Sequence, residues 1–515
     1  MKPEQQTPRR VHELLDPWVA KQPNALALRD AVVTMTYGEL DQQARLLAAR
    51  LQSAGVRPGD RVLIVGENCV AMCVLFLALS RIDAWTSVVN ARLTSREIAQ
   101  FITHSGARRV LYLGHVSTGA QAHAEHHGAA SFPSELGDIA IGPLAEDVKA
   151  EASYADPSEQ VAAMVYTSGT TGSPKGVMLT HSNMAFVATS ARDVRNIGPG
   201  DVVYGVLPMA HVVGLSTQFL GAMSAGAALL LEPRFTAEGT IRALAEDGVT
   251  IFTGVPALFA RMLEWARQSG TAIHAPRLRL ITVAGSPLTP SLKAEVEREF
   301  KLPLQNGYGL TETSPTIAQT GIGGDRADCS VGPPIPGVDV RIVDAAGDEV
   351  APGEVGELWA RGPGVMKGYY KDEALTATVI NSEGWFNTGD MARCGPDGAL
   401  FISGRTKELI IRSGFNVYPV EVEQVLNAYP AVVQSAVVGR EVGHNEEVVA
   451  FVETRDGFAI DMSDLRSYLR GQLSPYKQPT DIRLVKTLPS APNGKVLKHV
   501  LRELAKSPDD LAAGA

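Results

Sequence analysis

The chain has 515 residues, of which 45% are hydrophobic and 20% charged, and a formal net charge of −9. That length exceeds what one hydrophobic core organises, so at least two domains are expected, and the ordinary composition excludes a fibrous or largely disordered chain. An acidic chain does not attract polyanions broadly, so nucleic acid is not expected as a partner and any phosphate must be held by a local site.

The four cysteines, Cys69, Cys73, Cys329 and Cys394, contain no C-x-x-C pair and make no disulfide framework. Cys69 and Cys73 stand i,i+4 in an apolar stretch and read as small buried hydrophobes, which suits a reducing compartment. Met1–Leu14 is polar, with no apolar core of a secretion signal behind Arg9 and Arg10. The longest apolar runs, Val70–Leu79 and Phe219–Leu231, fall short of a bilayer span, and the final Ala-Ala-Gly-Ala is no lipidation or peroxisomal signal. A cytoplasmic location without a transmembrane segment is the expectation. A homodimer is allowed but not specified.

In chain order, Tyr37–Ala54 reads as an amphipathic helix and Val62–Val65 as a strand after the turn Pro58-Gly59-Asp60. Arg109–Leu113, Val202–Val206, Ala228–Leu231, Thr250–Thr253 and Leu280–Val283 read as further strands, with helices at Thr236–Asp247 and Leu258–Gln268 between them. Nearly continuous apolar strands alternating with helices predict an α/β fold with parallel-type sheets flanked by helices. His115, His123, His126 and His127 lack a recurring ligand spacing, so a solvated loop is expected there rather than a metal site. From Gly321 to Gly364 the chain is rich in Gly and Pro, and the strands Val338–Val343 and Gly356–Ala360 predict a small β-rich subdomain. From about Arg405 a compact α+β unit is expected. Its helices are Val420–Tyr429 and Met462–Leu473, and its strands Ser435–Gly439, Val448–Glu453 and Asp481–Leu484. The boundary is drawn as 1–404 and 405–515. The residues after Lys506 are expected to fray.

After the apolar run Val161–Val165 comes Tyr-Thr-Ser-Gly-Thr-Thr-Gly-Ser-Pro-Lys-Gly-Val, residues 166–177. Thr167 to Ser173 supplies five hydroxyls and two glycines, and Lys175 follows. Glycines let backbone amides approach a phosphate, hydroxyls donate to its oxygens, and a lysine balances its charge. Pro174 breaks the Walker spacing G-x4-G-K-[ST]. Further on stand Gly307-Tyr308-Gly309-Leu310-Thr311-Glu312-Thr313, Trp385-Phe386-Asn387-Thr388-Gly389-Asp390, Gly404-Arg405-Thr406-Lys407 and Pro492-Asn493-Gly494-Lys495-Val496.

In this order, these segments resemble the motifs of the adenylate-forming enzymes: acyl- and aryl-CoA ligases, firefly luciferases and the adenylation domains of peptide synthetases. The resemblance runs from about Thr36 to Lys506. It implies that Thr167, Ser168, Gly169, Thr170, Thr171, Gly172 and Lys175 form a phosphate loop, with Gly285, Ser286 and Gly309 also in the ATP/AMP site. It implies that Tyr308 stacks near adenine, Thr311 contacts the α-phosphate, and Glu312, with Thr167 beside it, holds Mg²⁺, a hard cation that prefers oxygen. Asp390 would accept from the ribose diol. Arg405 would reach ribose and phosphate, Lys407 would be the hinge of a mobile C-terminal domain, and Lys495 would be a mobile catalytic lysine. Ser413, Gly414 and Phe415 would line a coenzyme A tunnel gated by His211.

The implied reaction is carboxylic acid + ATP + CoA to acyl-CoA + AMP + pyrophosphate. ATP, Mg²⁺ and CoA would be the cofactor and co-substrates. The acyl pocket is expected from Val212–Gln218, Gly254–Ala257, Ala284–Leu288 and Gly307–Leu310, with His211, Val212, Gly307 and Leu310 in its wall. These segments contain no Asp, Glu, Lys or Arg, which argues for a hydrophobic fatty or aryl acid and against an amino acid. Arg234 stands roughly where malonyl-CoA synthetases hold a second carboxylate, but is read as an exposed residue before a helix. Delivery of the acyl group to a carrier protein, a luciferase-like oxygenase, a dicarboxylate ligase and an inactive nucleotide-binding protein remain as alternatives.

Overall fold

The computed structural model describes residues 8–167, 174–412, 415–442, 445–455, 458, 460–490 and 496–506. Two eight-stranded sheets dominate. The first runs Ala318–Gln319, Leu304–Tyr308, Leu280–Ala284, Ile251–Gly254, Val202–Gly205, Ala228–Leu231, Leu26–Arg29, Thr34–Thr36 in spatial order. Its six inner strands are parallel and its two edges antiparallel. The second is parallel through Val161–Thr167, Trp85–Asn90, Arg61–Gly66 and Arg109–Leu113, and antiparallel at both ends. The expectation of parallel-type sheets therefore holds for their centres only. At the edges the pairing turns antiparallel, which needs no crossover connection of the kind a parallel neighbour requires.

The apolar run at Val70 becomes helix Val70–Arg81, buried all round between the two sheets except at its last residue. Burial raises the Cys69 thiol to about 12, and Cys73 lies 3.6 Å from the Met209 sulfur, so both behave as hydrophobes. No described helix is long and apolar enough to cross a membrane. The β-rich subdomain is a four-stranded antiparallel sheet of Asp339–Val343, Gly356–Arg361, Phe386–Cys394 and Leu400–Arg405. Beyond it lie a hairpin of Ile410–Arg412 with Phe415–Val417 and a three-stranded sheet of Val432–Val442, Asn445–Thr454 and Asp481–Val485. Helices Pro419–Asn427, Met462–Gln472 and Lys498–Lys506 accompany it.

The histidine-rich stretch is not a loop. Thr118–His126 is a helix capped by Ser117, and His123 is buried with Nε2 on the Leu93 carbonyl at 3.0 Å. His127 Nδ1 pairs with the Tyr112 hydroxyl at 2.7 Å, so these imidazoles are tied into the second sheet. No group of three or more potential metal ligands occurs among the described residues.

Candidate active site

Strand Leu304–Tyr308 carries the first functional side chain. Tyr308 donates to Asp390 Oδ2 at 2.6 Å, and Arg405 Nε lies 3.3 Å from Asp390 Oδ1. Asp390 and Arg405 are cross-strand partners in the four-stranded sheet, which fixes their pairing by register. Burial and the neighbouring Asp390 carboxylate push the Tyr308 phenol well above its ordinary range, so it remains a donor. Gly309 follows under a strict packing demand: a Cβ there would meet the Pro315 carbonyl oxygen at 1.4 Å.

These residues face a cavity of about 250 Å³ between the large N-terminal region and the C-terminal unit. Gly285, Ser286, Gly307, Tyr308, Gly309, Leu310, Asp390 and Arg405 line it from one side, and Glu408, Glu423 and Lys498 from the other. Ser291 Oγ donates to the Asn427 carbonyl at 3.3 Å across the same junction. Lys498 Nζ lies 2.9 Å from Glu408 and 2.8 Å from Glu423, and these two carboxylates raise the lysine's pKa against the opposing effect of burial.

A second group forms around the phosphate-loop ends. Val161–Thr167 and Lys175–Thr180 make an antiparallel hairpin in which Thr167 faces Lys175. Ser168, Gly169, Thr170, Thr171 and Gly172 lie outside the described residues, as do Lys495, Ser413 and Gly414. Lys175 Nζ sits 5.3 Å from the centre of the Tyr369 ring, and the Tyr369 hydroxyl donates to Glu312 Oε1 at 2.8 Å. Glu312 and Thr311 stand on a short 3₁₀ turn, Thr311–Thr313, and the Met366 amide donates to the Glu312 carbonyl at 2.8 Å. A carboxylate has about four acceptor positions, so Glu312 keeps capacity for a divalent cation beside Tyr369. One carboxylate with the other ligands drawn from phosphate and water is what Mg²⁺ at a nucleotide accepts, and the residues fit it.

His211 and Val212 do not join the cavity wall that contains Gly307 and Leu310. His211 follows a turn closed by its amide on the Pro208 carbonyl at 2.9 Å and leads into π-helix Val213–Leu220, while Val212 is buried in the core. Asn68 sets this turn. Its Nδ2 donates to the carbonyls of Gly205 at 3.0 Å and Leu207 at 2.9 Å, and its Oδ1 accepts from the Met209 amide at 2.9 Å. Gly214 touches the same segment, since a Cβ there would lie 2.4 Å from the Pro208 carbonyl oxygen. Phe415 is exposed and stacks on Tyr476 with ring centres 4.7 Å apart. Lys407 is exposed on the 3₁₀ turn Thr406–Glu408.

Arg234 is exposed, as expected, yet it is engaged. Its Nε lies 2.8 and 2.9 Å from the two oxygens of buried Glu67, which Arg92 also approaches at 3.2 Å. Tyr369, Asn68, Glu67 and Lys498 were not identified from sequence. Only Tyr369 carried a signal, the aromatic pair after Gly368.

A parallel-centred α/β region joined to an α+β unit, with a tyrosine, a carboxylate and an arginine converging on the cleft between them, defines a nucleotide-type site. Residues 15–370 match the family described as AMP-binding enzyme, and residues 421–495 match the AMP-binding enzyme C-terminal domain. The chain is 32% identical over 501 residues to the indoleacetate–CoA ligase of Aromatoleum aromaticum, covering 96% of this chain and 97% of that protein. It is 32% identical over 494 residues to the feruloyl-CoA synthase of an Amycolatopsis species, covering 93% and 96%. The structure of ATP-bound MatB from Rhodopseudomonas palustris has a TM-score of 0.85 at 31% identity, covering 97% of this chain and 99% of that one. The apo form of that protein has a TM-score of 0.75 at 30% identity, with the same coverage. This chain belongs to the AMP-binding enzyme family.

Proposed function

We propose that the protein is an AMP-forming acid–CoA ligase. The observation that carries the reading is the convergence of Tyr308, Asp390 and Arg405 on the inter-domain cavity, with Lys175, Tyr369 and Glu312 clustered beside the phosphate-loop ends. In the first half-reaction a substrate carboxylate oxygen attacks the α-phosphorus of ATP, the bond to the bridging oxygen breaks, and pyrophosphate leaves. Asp390 holds the ribose, Lys175 draws negative charge from the departing phosphates, and Lys495 bridges the two anions. Mg²⁺ held by Glu312 and by phosphate would neutralise charge on the pyrophosphate. In the second half-reaction the CoA sulfur attacks the acyl carbonyl, the carbonyl–phosphate bond breaks, AMP leaves, and the thiol proton passes to solvent.

The two steps need different surroundings, which a rotation of the C-terminal unit at Lys407 supplies. The higher similarity to the ATP-bound than to the apo neighbour supports reading the present arrangement as the adenylation state. The uncharged wall segments and the aryl-acid names of the relatives support an aryl acid over a fatty acid. The engagement of Arg234 with Glu67 removes the reason to expect a dicarboxylate such as malonate. The four cysteines, all free thiols, support a cytoplasmic setting. The test is acid-dependent pyrophosphate release over a panel of acids, followed by thioester formation on adding CoA. Lys495→Ala is expected to lose the first step by about two orders of magnitude while still converting a supplied acyl-adenylate to thioester. Pyrophosphate release without CoA consumption would instead favour transfer to another acceptor.

A further inference from the structure

Tyr369 touches both charged groups beside the phosphate-loop ends. Its strand, Gly368–Tyr369, runs antiparallel to Lys175–Thr180, with Tyr369 opposite Val177. Side chains two apart along a strand share a face, and diagonal cross-strand neighbours on that face come within reach of an aromatic ring. Lys175 is such a neighbour. Its Nζ stands 5.3 Å from the ring centre, within the range of a cation–π contact. At the far end of the same side chain, the Tyr369 hydroxyl donates to Glu312 Oε1 at 2.8 Å. One buried residue thus links the lysine of one motif to the carboxylate of another.

The phenol is not what holds these segments in place. The Met366 amide donates to the Glu312 carbonyl at 2.8 Å, the Lys367 amide to the Met178 carbonyl at 3.0 Å, and the Tyr370 amide to the Gly176 carbonyl at 2.8 Å. The Tyr369 amide itself donates to Thr376 Oγ1 at 2.9 Å. The backbone is fixed on both sides of Tyr369 by these bonds, so what the phenol adds is the orientation of the Glu312 side chain. Burial, and then the Glu312 charge, push the phenol above its ordinary range, so it stays a donor at neutral pH. Among the described residues it is the one hydrogen-bond donor to that carboxylate.

Orientation matters for a carboxylate that ligates a cation. Such ligands are themselves held by hydrogen bonds, and losing the outer partner typically costs about 10- to 100-fold in metal affinity or activity. A free glutamate side chain also has rotamer freedom to lose when it binds, and a held one has already lost it. The two contacts of Tyr369 are chemically separable: the hydroxyl acts on Glu312, and the ring on Lys175.

We propose that Tyr369 is a positioning residue: its hydroxyl holds Glu312 in the orientation that receives Mg²⁺, and its ring holds Lys175 towards the departing phosphates. This rests on the acid–CoA ligase reading and adds to it the residue that governs metal use at the phosphate end of the site.

The probe is α,β-methylene-ATP, whose α–β bridge does not cleave, so binding is read without turnover. Its Kd is measured on the full chain by equilibrium dialysis, with Mg²⁺ and with EDTA, and the ratio of the two reports how far metal assists binding. Tyr369→Phe keeps the ring and loses the hydroxyl. Its Kd with EDTA should match the wild type, while its Kd with Mg²⁺ should rise by up to about 10- to 100-fold, bringing the ratio towards one. Tyr369→Leu loses both contacts and should weaken binding with EDTA as well. Adding Tyr369→Phe to Glu312→Gln should lower the ratio no further than Glu312→Gln alone, because both changes remove one contact. A ratio unchanged in Tyr369→Phe, equal weakening with and without metal, or a further fall in the double variant overturns the proposal. So does a Tyr369→Phe chain that no longer melts cooperatively, since the hydroxyl would then be structural. A wild-type chain that releases pyrophosphate but binds the probe without metal dependence overturns it and leaves the ligase reading standing. A chain that releases no pyrophosphate with any acid overturns the ligase reading itself, and this inference with it.

Discussion

Asp390→Ala separates binding from structure at the nucleotide site. The carboxylate is buried, with Tyr308 on one oxygen at 2.6 Å and Arg405 near the other at 3.3 Å. With those positions engaged, at least one acceptor position remains for a ribose hydroxyl, and a hydrogen bond to a charged group contributes about 1.5–3 kcal/mol. At about 1.4 kcal/mol per factor of ten, kcat/KM for ATP should fall roughly 10- to 150-fold, carried by KM. The same substitution leaves the part-buried Tyr308 hydroxyl without its carboxylate partner, at a cost of up to about 1 kcal/mol of stability. Tyr308→Phe removes that donor and keeps the ring. The double variant Asp390→Ala/Tyr308→Phe should therefore recover stability relative to Asp390→Ala but not recover KM. Steady-state kinetics and denaturant unfolding read the two quantities separately. The reasoning is refuted if Asp390→Ala leaves ATP kinetics unchanged, or if the double variant restores KM along with stability.

Lys407→Pro fixes φ near −65° at the proposed hinge, so adenylation should persist while thioester formation is lost in single-turnover assays; equal loss of both would count against rotation there. Lys498→Met leaves Glu408 and Glu423 facing each other without their shared cation. Breaking such a pair costs about 3 kcal/mol, so the C-terminal unit should become protease-sensitive at lower denaturant, with recovery in Lys498→Arg; a wild-type proteolysis profile would exclude this role. Acid should destabilise the protein early. His12 is lowered to about 3 by burial and by nearby Arg81, and His181 well below its ordinary value by burial. The unfolded imidazoles take up protons near pH 6.5 and the folded ones do not, so this stability is complete above that value. It is lost as pH falls towards the folded values, by up to about 1.4 kcal/mol per pH unit for each histidine. A denaturation midpoint that stays flat from about pH 7 to 5 would contradict the assignment.

The strands were legible because burial on both faces writes itself as a continuous apolar run, and Arg109–Leu113 and Ala228–Leu231 agree to the residue. What the pattern hid was direction. An antiparallel strand such as Lys175–Thr180 buries as much of its length as a parallel neighbour, and only the pairing distinguishes them. Helix Thr118–His126 was missed because its buried face is made of alanine and histidine, which carry no apolar period. The candidate nucleotide residues could be grouped from sequence because several fall within each short stretch, and the structure brings Tyr308, Asp390 and Arg405 of three such stretches together.

The residues that stayed hidden act alone and across long separations. Asn68 arrives from the end of strand Arg61–Gly66 to fix the turn before His211, and nothing beside it in sequence announces the carbonyls it will meet. The same holds one layer deeper. Each of Thr253, Thr282 and Gln319 is, singly, an unremarkable polar residue in an apolar strand. Only the sheet register places them on one face with Gly307. The absence of charge in the wall segments argued for an apolar acid. Buried Arg195 stands outside those segments and bonds Gln319 Oε1, so a count of charge along them could not register it.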